Sequence, residues 1–468
     1  MQPPRAPREP QSRIVHGHAV LDDYAWMADR DDPRLRAYLE AENAYAAERT
    51  GHLDPLVERI VGELKSRTVE TDLSVAVRHG GWWYYGRTIE GAEYPVHARV
   101  AISDSPDRPV LDGQTPPAHE QVLLDENVEA GDADFFAVGA SEMSPDGRLL
   151  AWSADREGDE RYDLVVREVD SGAILDATVR GIGDPLAWSL DNRHIFYTRL
   201  DDSWRSHEIW RHEVGTAVEA DELVLAESDE RFFLSVGATA DDRWVVLSAT
   251  SKTAAQVWLI DAADPRQAPR SVLPRRDEVI YDVDPLADGL LVLHNAGRAN
   301  FQVDWLPSAG APVEDLVDLG WTTPDEFVTG MDAFATFVVL SLRVDGLTAL
   351  RFVPVTGEGP GGFGMPHDLT FPGETGTLTL GSTPDPTSPT VQVAHTSMAT
   401  PPAIYDYDVR ARTLLLLKAH PVPGVDLSAL RETRIWAIAP DGVAVPVSLV
   451  HHADVRPDGT AAVLLYGY

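Results

Sequence analysis

The sequence predicts a mainly β protein built as a seven-bladed β-propeller, with helices before it and a short run of further strands after it. Three observations carry that expectation. The apolar period switches from helical to alternating after about Asp72, paired strands then recur at blade-like intervals, and a proline-rich break at Pro421-Val422-Pro423-Gly424 precedes another change of pattern. The segments so defined are 1–72, helical; 73–425, the propeller; and 426–468, the strands after it.

Two helices open the chain. Asp32-Pro33 supplies an N-cap and a proline at the first helical position, and Leu35, Tyr38, Leu39, Tyr45 and Ala46 recur at spacings of three and four until Gly51. Asp54-Pro55 repeats the device, after which Val57, Ile60, Val61 and Leu64 form one apolar stripe that needs a covering surface.

Strand pairs are expected at 82–87 with 94–101, 149–154 with 162–169, 194–199 with 207–213, 243–250 with 255–260, 289–294 with 301–306, 336–341 with 346–353, and 390–397 with 402–408. From the second pair onward the starts at 149, 194, 243, 289, 336 and 390 lie 45, 49, 46, 47 and 54 residues apart, the period of propeller blades. Ser144-Pro145-Asp146-Gly147-Arg148 is echoed by Ser189-Leu190-Asp191-Asn192-Arg193, each a polar turn feeding an apolar inner strand. Seven such units of four strands close into a ring with no long exposed edge. Beyond the break, a pair at 434–439 with 443–451 is followed by the polar connection Arg456-Pro457-Asp458-Gly459 and an apolar strand over 461–466. An apolar run with nothing after it is the mark of an unfinished core.

Composition narrows the functional classes. The 468 residues are 44% apolar and 24% charged, and no window approaches the ~18 uninterrupted apolar residues of a membrane span. Residues 1–12 contain no apolar leader, and there is no cysteine, so disulfides and thiolate metal sites are excluded and the expected compartment is the cytoplasm. With 39 basic and 75 acidic residues, the net charge of −36 repels nucleic acid. Such a field suits cationic ligands such as basic peptides, although charge alone favours the plainer reading of a surface kept soluble by its carboxylates.

Motifs for chemistry are sparse. A serine nucleophile on a strand-to-helix elbow needs Gly-x-Ser-x-Gly, and the nearest approach, Gly139-Ala140-Ser141-Glu142-Met143, lacks the final glycine. Phosphate loops, dinucleotide fingerprints, HExxH and EF-hand loops are absent, so no cofactor and no metal are expected. His16-Gly17-His18 sets two imidazoles close together without a third ligand, which favours packing or hydrogen bonding over metal binding. Trp82-Trp83-Tyr84-Tyr85 reads as a strand buried on both faces sooner than as a ligand platform. The densest charge cluster, Asp155-Arg156-Glu157-Gly158-Asp159-Glu160-Arg161, falls on a hairpin loop, where propellers meet substrates and partner domains.

Several motifs taken together carry a resemblance. They are His16-Gly17-His18 with Asp22-Asp23-Tyr24-Ala25-Trp26-Met27, Tyr38-Leu39-Glu40-Ala41-Glu42-Asn43, Glu93-Tyr94-Pro95-Val96, Ser144-Pro145-Asp146-Gly147, Val344-Asp345-Gly346-Leu347, Tyr405-Asp406-Tyr407-Asp408, Val445-Pro446-Val447-Ser448 and Leu465-Tyr466-Gly467-Tyr468. Over nearly its entire length the chain resembles the prolyl oligopeptidase family of serine peptidases, and within it the oligopeptidase B branch. The resemblance implies a propeller inserted into an α/β-hydrolase domain, with 1–72 as that domain's helical beginning and 426–468 as its first strands. It also implies that the family's catalytic serine, aspartate and histidine lie downstream of Tyr466-Gly467-Tyr468, as do the carboxylates that select arginine or lysine. None of the triad is then present in this sequence.

Two residues take roles by the same resemblance. Tyr468 matches the tyrosine whose hydroxyl stabilises the oxyanion, and Glu160 matches an acidic blade-loop residue that reaches across the domain gap towards an arginine near the substrate. The implied function is that of an oligopeptidase cleaving short peptides after basic residues, the propeller restricting substrate size. The 468-residue chain is then expected to be inactive without its partner, the C-terminal hydrolase domain. The other class of function compatible with the residues is a stand-alone propeller that binds peptides or proteins.

Overall fold

The computed structural model describes residues 2–105, 107–110, 115–286, 288–371 and 375–467. Two compact units result: Met1–Val69 with Val422–Gly424, and Glu70–Pro421 with Val425–Tyr468. No helix among the described residues is long and apolar enough to cross a membrane.

The first unit begins with a hairpin, Gln11–Val15 paired with His18–Asp22. His16 and Gly17 form its two-residue turn with φ of 49° and 81°, the left-handed conformations that match the twist of the flanking strands. That turn gives His16 and Gly17 a structural role. Helix α1, Pro33–Thr50, is capped by the Asp32 carboxylate, which accepts the Arg34 N–H. Helix α2, Asp54–Arg67, departs from expectation at its start: a 3-10 turn, Gly51–Leu53, runs straight into it. Leu53 therefore holds the cap position, and Asp54 lies in the first turn, where its charge faces the positive end of the helix dipole. Neither helix buries a residue, and the stripe Val57, Ile60, Val61 and Leu64 is exposed.

In the second unit the described residues form seven blades: blade 1 over 72–125, blade 2 over 137–176, blade 3 over 182–226, blade 4 over 233–271, blade 5 over 281–318, blade 6 over 327–369 and blade 7 over 377–419. Blades 2 to 7 are four-stranded antiparallel meanders, and blade 1 adds Val77–His79 against Trp82–Thr88. All seven expected strand pairs occur, as the second and third strands of their blades. The apolar strands fed by polar turns are thus second strands and not inner ones. Leu149–Asp155 and Gly289–His294 are buried because neighbouring blades cover both faces, whereas first strands such as Ala137–Met143 and Phe327–Ala333 are half open.

The turns before the second strands of blades 2, 3 and 4 explain the local repeat. The Ser144 hydroxyl donates to the Asp146 carboxylate at 2.7 Å, Asp146 accepts the Arg148 N–H, and Gly147 supplies φ 71°. Asn192, φ 57°, does the same beside Asp191, and Thr239-Ala240-Asp241-Asp242-Arg243 is a third copy with Asp242 at φ 57°.

Apolar packing joins blades in sequence. Trp152 and Leu124 bridge blades 1 and 2, Val166 and Ile195 blades 2 and 3, and Phe196 and Val245 blades 3 and 4. Val257 and Val292 join blades 4 and 5, Leu291 and Val338 blades 5 and 6, and Phe352 and Val391 blades 6 and 7. Between blades 7 and 1 the described residues share no such cluster, and polar bonds join them. Arg108 donates to Asp406 at 3.0 Å, Gln392 to the Ala76 carbonyl at 3.4 Å, and Lys418 to Asp72 at 2.6 Å.

After the ring, Leu430–Ile438 pairs with Ala444–His452. Glu432 anchors this hairpin to blade 7 by accepting from the Ser397 hydroxyl and the Ala399 N–H, and Arg434 donates to the Asp345 carbonyl of blade 6. The strand expected over 461–466 does not form. A strand needs a hydrogen-bonded neighbour, and none of the described residues pairs with this segment, leaving Val463, Leu464, Leu465 and Tyr466 at least 82% exposed.

Candidate functional site

The charge cluster at 155–161 is a loop shaped by one buried carboxylate. Asp155 ends the second strand of blade 2, and its side chain accepts the backbone N–H groups of Glu157, Gly158 and Glu160 at 2.8, 2.9 and 2.8 Å. Burial disfavours its charge, yet these N–H groups outweigh burial and hold the carboxyl below the usual range. The loop closes with Glu160 at φ 59° and its side chain in solvent.

The corresponding loop of blade 3 is made the same way. Asp201 accepts from the N–H groups of Ser203 and Arg205 and from the Arg205 guanidinium, and Trp204 sits at φ 58°. The two loops interlock: the Trp204 indole N–H donates to the Asp159 carbonyl, and the Arg161 guanidinium lies 4.5 Å from the centre of the Trp204 ring.

Between these loops opens a cavity of about 380 Å³, walled by Glu160, Tyr162, Asp184, Thr198 and Trp204 among others. Burial raises the Tyr162 hydroxyl above its ordinary pKa, and the charges of Asp184, Asp155 and Glu160 raise it further. Of these wall residues only Glu160 was singled out beforehand, through the resemblance. Asp184, Thr198 and Trp204 were not, since they belong to a different blade and only the fold brings them to the cavity.

A second cavity, about 560 Å³, lies among the first strands and is lined by His79, Glu142, Asp184, Val236, Asp242 and Pro384 with their neighbours. Water reaches Glu142 here, but protein surrounds it on most sides, and that burial together with Asp242 pushes its carboxyl up to about 7. Asp284, on the inner strand of blade 5, is likewise pushed up to about 7 by burial, with Asp332 and Asp282 adding to it.

Among the described residues, no serine hydroxyl bonds to a histidine ring, and no three His, Asp or Glu side chains group to hold a metal ion. Tyr468 lies outside the described residues.

Seven antiparallel blades, with helices before them and an extra hairpin after them, define a seven-bladed β-propeller protein. Residues 4–420 match the prolyl oligopeptidase N-terminal β-propeller domain, and the chain belongs to the prolyl oligopeptidase family. It is close to oligopeptidase B: the structure superimposes on oligopeptidase B from Trypanosoma brucei with covalently bound antipain, in its closed form, with a TM-score of 0.88 and 27% identity over 97% of this chain and 66% of that one. Dipeptidyl aminopeptidase BI of Pseudoxanthomonas mexicana is 33% identical over all of this chain and 65% of its own length, and protease 2 of Moraxella lacunata is 30% identical over all of this chain and 66% of its own. The chain thus spans just under two thirds of the length of these relatives.

Proposed function

We propose that the chain is the N-terminal and propeller portion of an oligopeptidase B-like serine peptidase, in which the ring restricts access to short peptides and cleavage follows basic residues. The observation that carries this reading is similarity along the whole chain to two peptidases, each half as long again. The exposed apolar run at 463–466 and the unburied helical stripes support it, because a further domain would cover them. The acidic surface suits positively charged substrates.

Peptide hydrolysis needs a nucleophile, a base to take its proton and an oxyanion site, acting as a unit. Of these the chain carries only the oxyanion donor assigned to Tyr468, so by itself it is inactive. Glu160 contributes from the propeller as one partner of a charge pair with an arginine of the catalytic portion. The test is to assay the 468-residue chain, and the same chain extended with its gene's downstream sequence, against an arginyl fluorogenic peptide. Turnover confined to the extended form is expected, and Glu160→Gln there lowers turnover while the fold persists. Robust turnover by the 468-residue chain overturns the reading.

A further inference from the structure

At the end of the blades away from the Glu160 loop, the turns that join first to second strands in blades 4 to 7 line a cavity of about 440 Å³. The second strand of blade 2, Leu149–Asp155, sets the two ends roughly 20 Å apart. The cavity's floor is apolar. Phe334, 6% exposed and stacked on Phe337, and Phe363, edge-on to Trp321 at 4.8 Å, bring two aromatic rings to it, with Leu286 and Val355 beside them.

Phe363 reaches the cavity on a loop whose shape its glycines require. Between the third and fourth strands of blade 6 the chain runs Gly357-Glu358-Gly359-Pro360-Gly361-Gly362-Phe363 and folds back on itself, so that the N–H groups of Thr356 and Gly357 donate to the Gly362 carbonyl. A Cβ at Gly362 would lie 2.5 Å from the Gly357 backbone, which no side chain tolerates. The Asp288 carboxylate of blade 5 accepts the Gly359 N–H and ties the loop to the neighbouring blade.

The polar groups narrow what such a cavity takes. Asp284 lines it and accepts the Ala333 N–H at 2.6 Å through Oδ2, while its Oδ1 has no hydrogen-bond partner among the described residues. Burial, with Asp332, Asp282 and Asp241 adding to it, lifts this carboxyl to about 7, so near neutral pH it donates as readily as it accepts. Asp241, Asp288 and Glu358 at the rim repel anions. Two of them are already bonded, Asp241 to the Thr239 hydroxyl and the Arg243 N–H, and Asp288 to Gly359. The basic side chain on the wall, Arg243, lies 5.2 Å from the centre of the Trp244 ring. An aromatic ring that carries an amide satisfies both halves: apolar surface for the floor, and an N–H or C=O for Asp284.

We propose that this cavity binds an uncharged aromatic residue of a peptide, its ring against Phe334 and Phe363 and a backbone amide on Asp284. The volume falls at the lower end of the ~300–1,000 Å³ typical of ligand pockets, which suits one residue with its amides. The inference does not depend on the proposed peptidase function.

The experiment is binding to the 468-residue chain, followed by calorimetry and saturation-transfer NMR. N-acetylphenylalanine N-methylamide is the main probe. N-acetylalanine N-methylamide lacks the ring, phenethylammonium replaces the amides with a positive charge, and N-acetylphenylalanine carries a carboxylate; each should bind about tenfold more weakly or worse. Ala335→Trp, on an exposed residue of the cavity wall, should abolish binding by filling the space. Asp284→Ala should weaken it about tenfold, whereas Asp284→Asn, which keeps a donor and an acceptor, should stay within a few-fold of wild type. Thr379→Trp, in an exposed position on a different cavity, should change nothing. Circular dichroism checks the fold of each variant, and if Asp284→Ala does not fold, Ala335→Trp and the probe series decide. Wild-type affinity in Ala335→Trp, equal binding of the ringless probe, tighter binding of phenethylammonium, or no binding of any probe overturns the site. The peptidase reading is untouched by that failure, since it stands or falls on turnover by the extended chain.

Discussion

The Nζ of Lys418, in the last strand of blade 7, lies 2.6 Å from the carboxylate of Asp72, in the first strand of blade 1, and also donates to the Leu73 carbonyl. Through this contact and its polar neighbours the two ends of the propeller meet, at an interface where the other six have apolar clusters. Lys418→Met should therefore loosen the ring locally. The side chains are 19% and 37% exposed, so water screens the pair and the loss is about 1 kcal/mol or less. Hydrogen exchange is the sensitive measurement: protection should fall first in Asp72–Leu73 and Thr413–Ala419, and partly so in wild type at high salt. Uniform protection across blades would sink the idea of a weak seam.

His212 offers a contrasting case, a buried polar ring with a partner at both nitrogens. It has no exposed surface, and its Nδ1 and Nε2 lie 2.7 Å from Asp221 and 2.9 Å from Asp176. Each ring nitrogen faces a carboxylate, so the ring bridges the two acids. His212→Leu leaves two buried anions facing each other and should cost about 3–5 kcal/mol, read from urea unfolding at neutral pH. Asp176 gives the pH dependence. Burial opposes its charge, but bonds from His212, Thr178 and Gly215 prevail and depress its carboxyl in the folded state. Its contribution is present above the unfolded value of about 3.9 and is lost as pH falls through the lower folded value. Asp176→Asn should flatten that acid limb, and an unchanged limb would count against the assignment.

The parts of the fold that could be read from sequence are those with two apolar faces. Second strands such as Gly289–His294 stand out because neighbouring blades cover both sides, and Ser-x-Asp turns mark the starts of Leu149–Asp155 and His194–Leu200. First strands were missed because they line open space and mix Glu142 or Asp332 with apolar residues. Fourth strands of two or three residues, Arg270–Ser271 or Val317–Asp318, are too short for any period to register. The segment 461–466 shows the opposite failure: its apolar run has strand composition, but composition cannot supply a hydrogen-bonding neighbour. At the candidate site the charge cluster marked the loop and the resemblance singled out Glu160, whereas Asp184 and Thr198 are ordinary letters in another blade.

Carboxylates facing the centre of the ring predict a second pH response of opposite sign. Glu142 and Asp284 are each pushed up to about 7, chiefly by burial. The folded protein then holds protons that the unfolded chain releases near pH 4, so stability falls as pH rises from about 4 to about 7. Glu142→Gln and Asp284→Asn should remove part of that fall and raise the urea midpoint at about pH 8. Midpoints that track wild type across the window would refute the assignment.

The last prediction separates shape from charge at the loop of blade 2. Glu160 holds a positive φ only because Asp155 gathers the N–H groups of Glu157, Gly158 and Glu160. Asp155→Ala removes that acceptor, frees three donors at once, and should cost about 1–3 kcal/mol. The loop over 156–161 should open to limited proteolysis while blades 4 to 7 keep their exchange protection. Glu160→Gln, by contrast, keeps every backbone bond and should leave proteolysis unchanged, since the side chain is in solvent. Acid reproduces the Asp155→Ala effect in wild type, because the depressed carboxyl contributes above its unfolded pKa of about 3.9 and stops contributing as pH drops through its folded value. If Asp155→Ala leaves the loop resistant to protease, the shape is held by the Trp204 bond to Asp159 and the Arg161 stack instead. Trp204→Ala would then open it in place of Asp155→Ala.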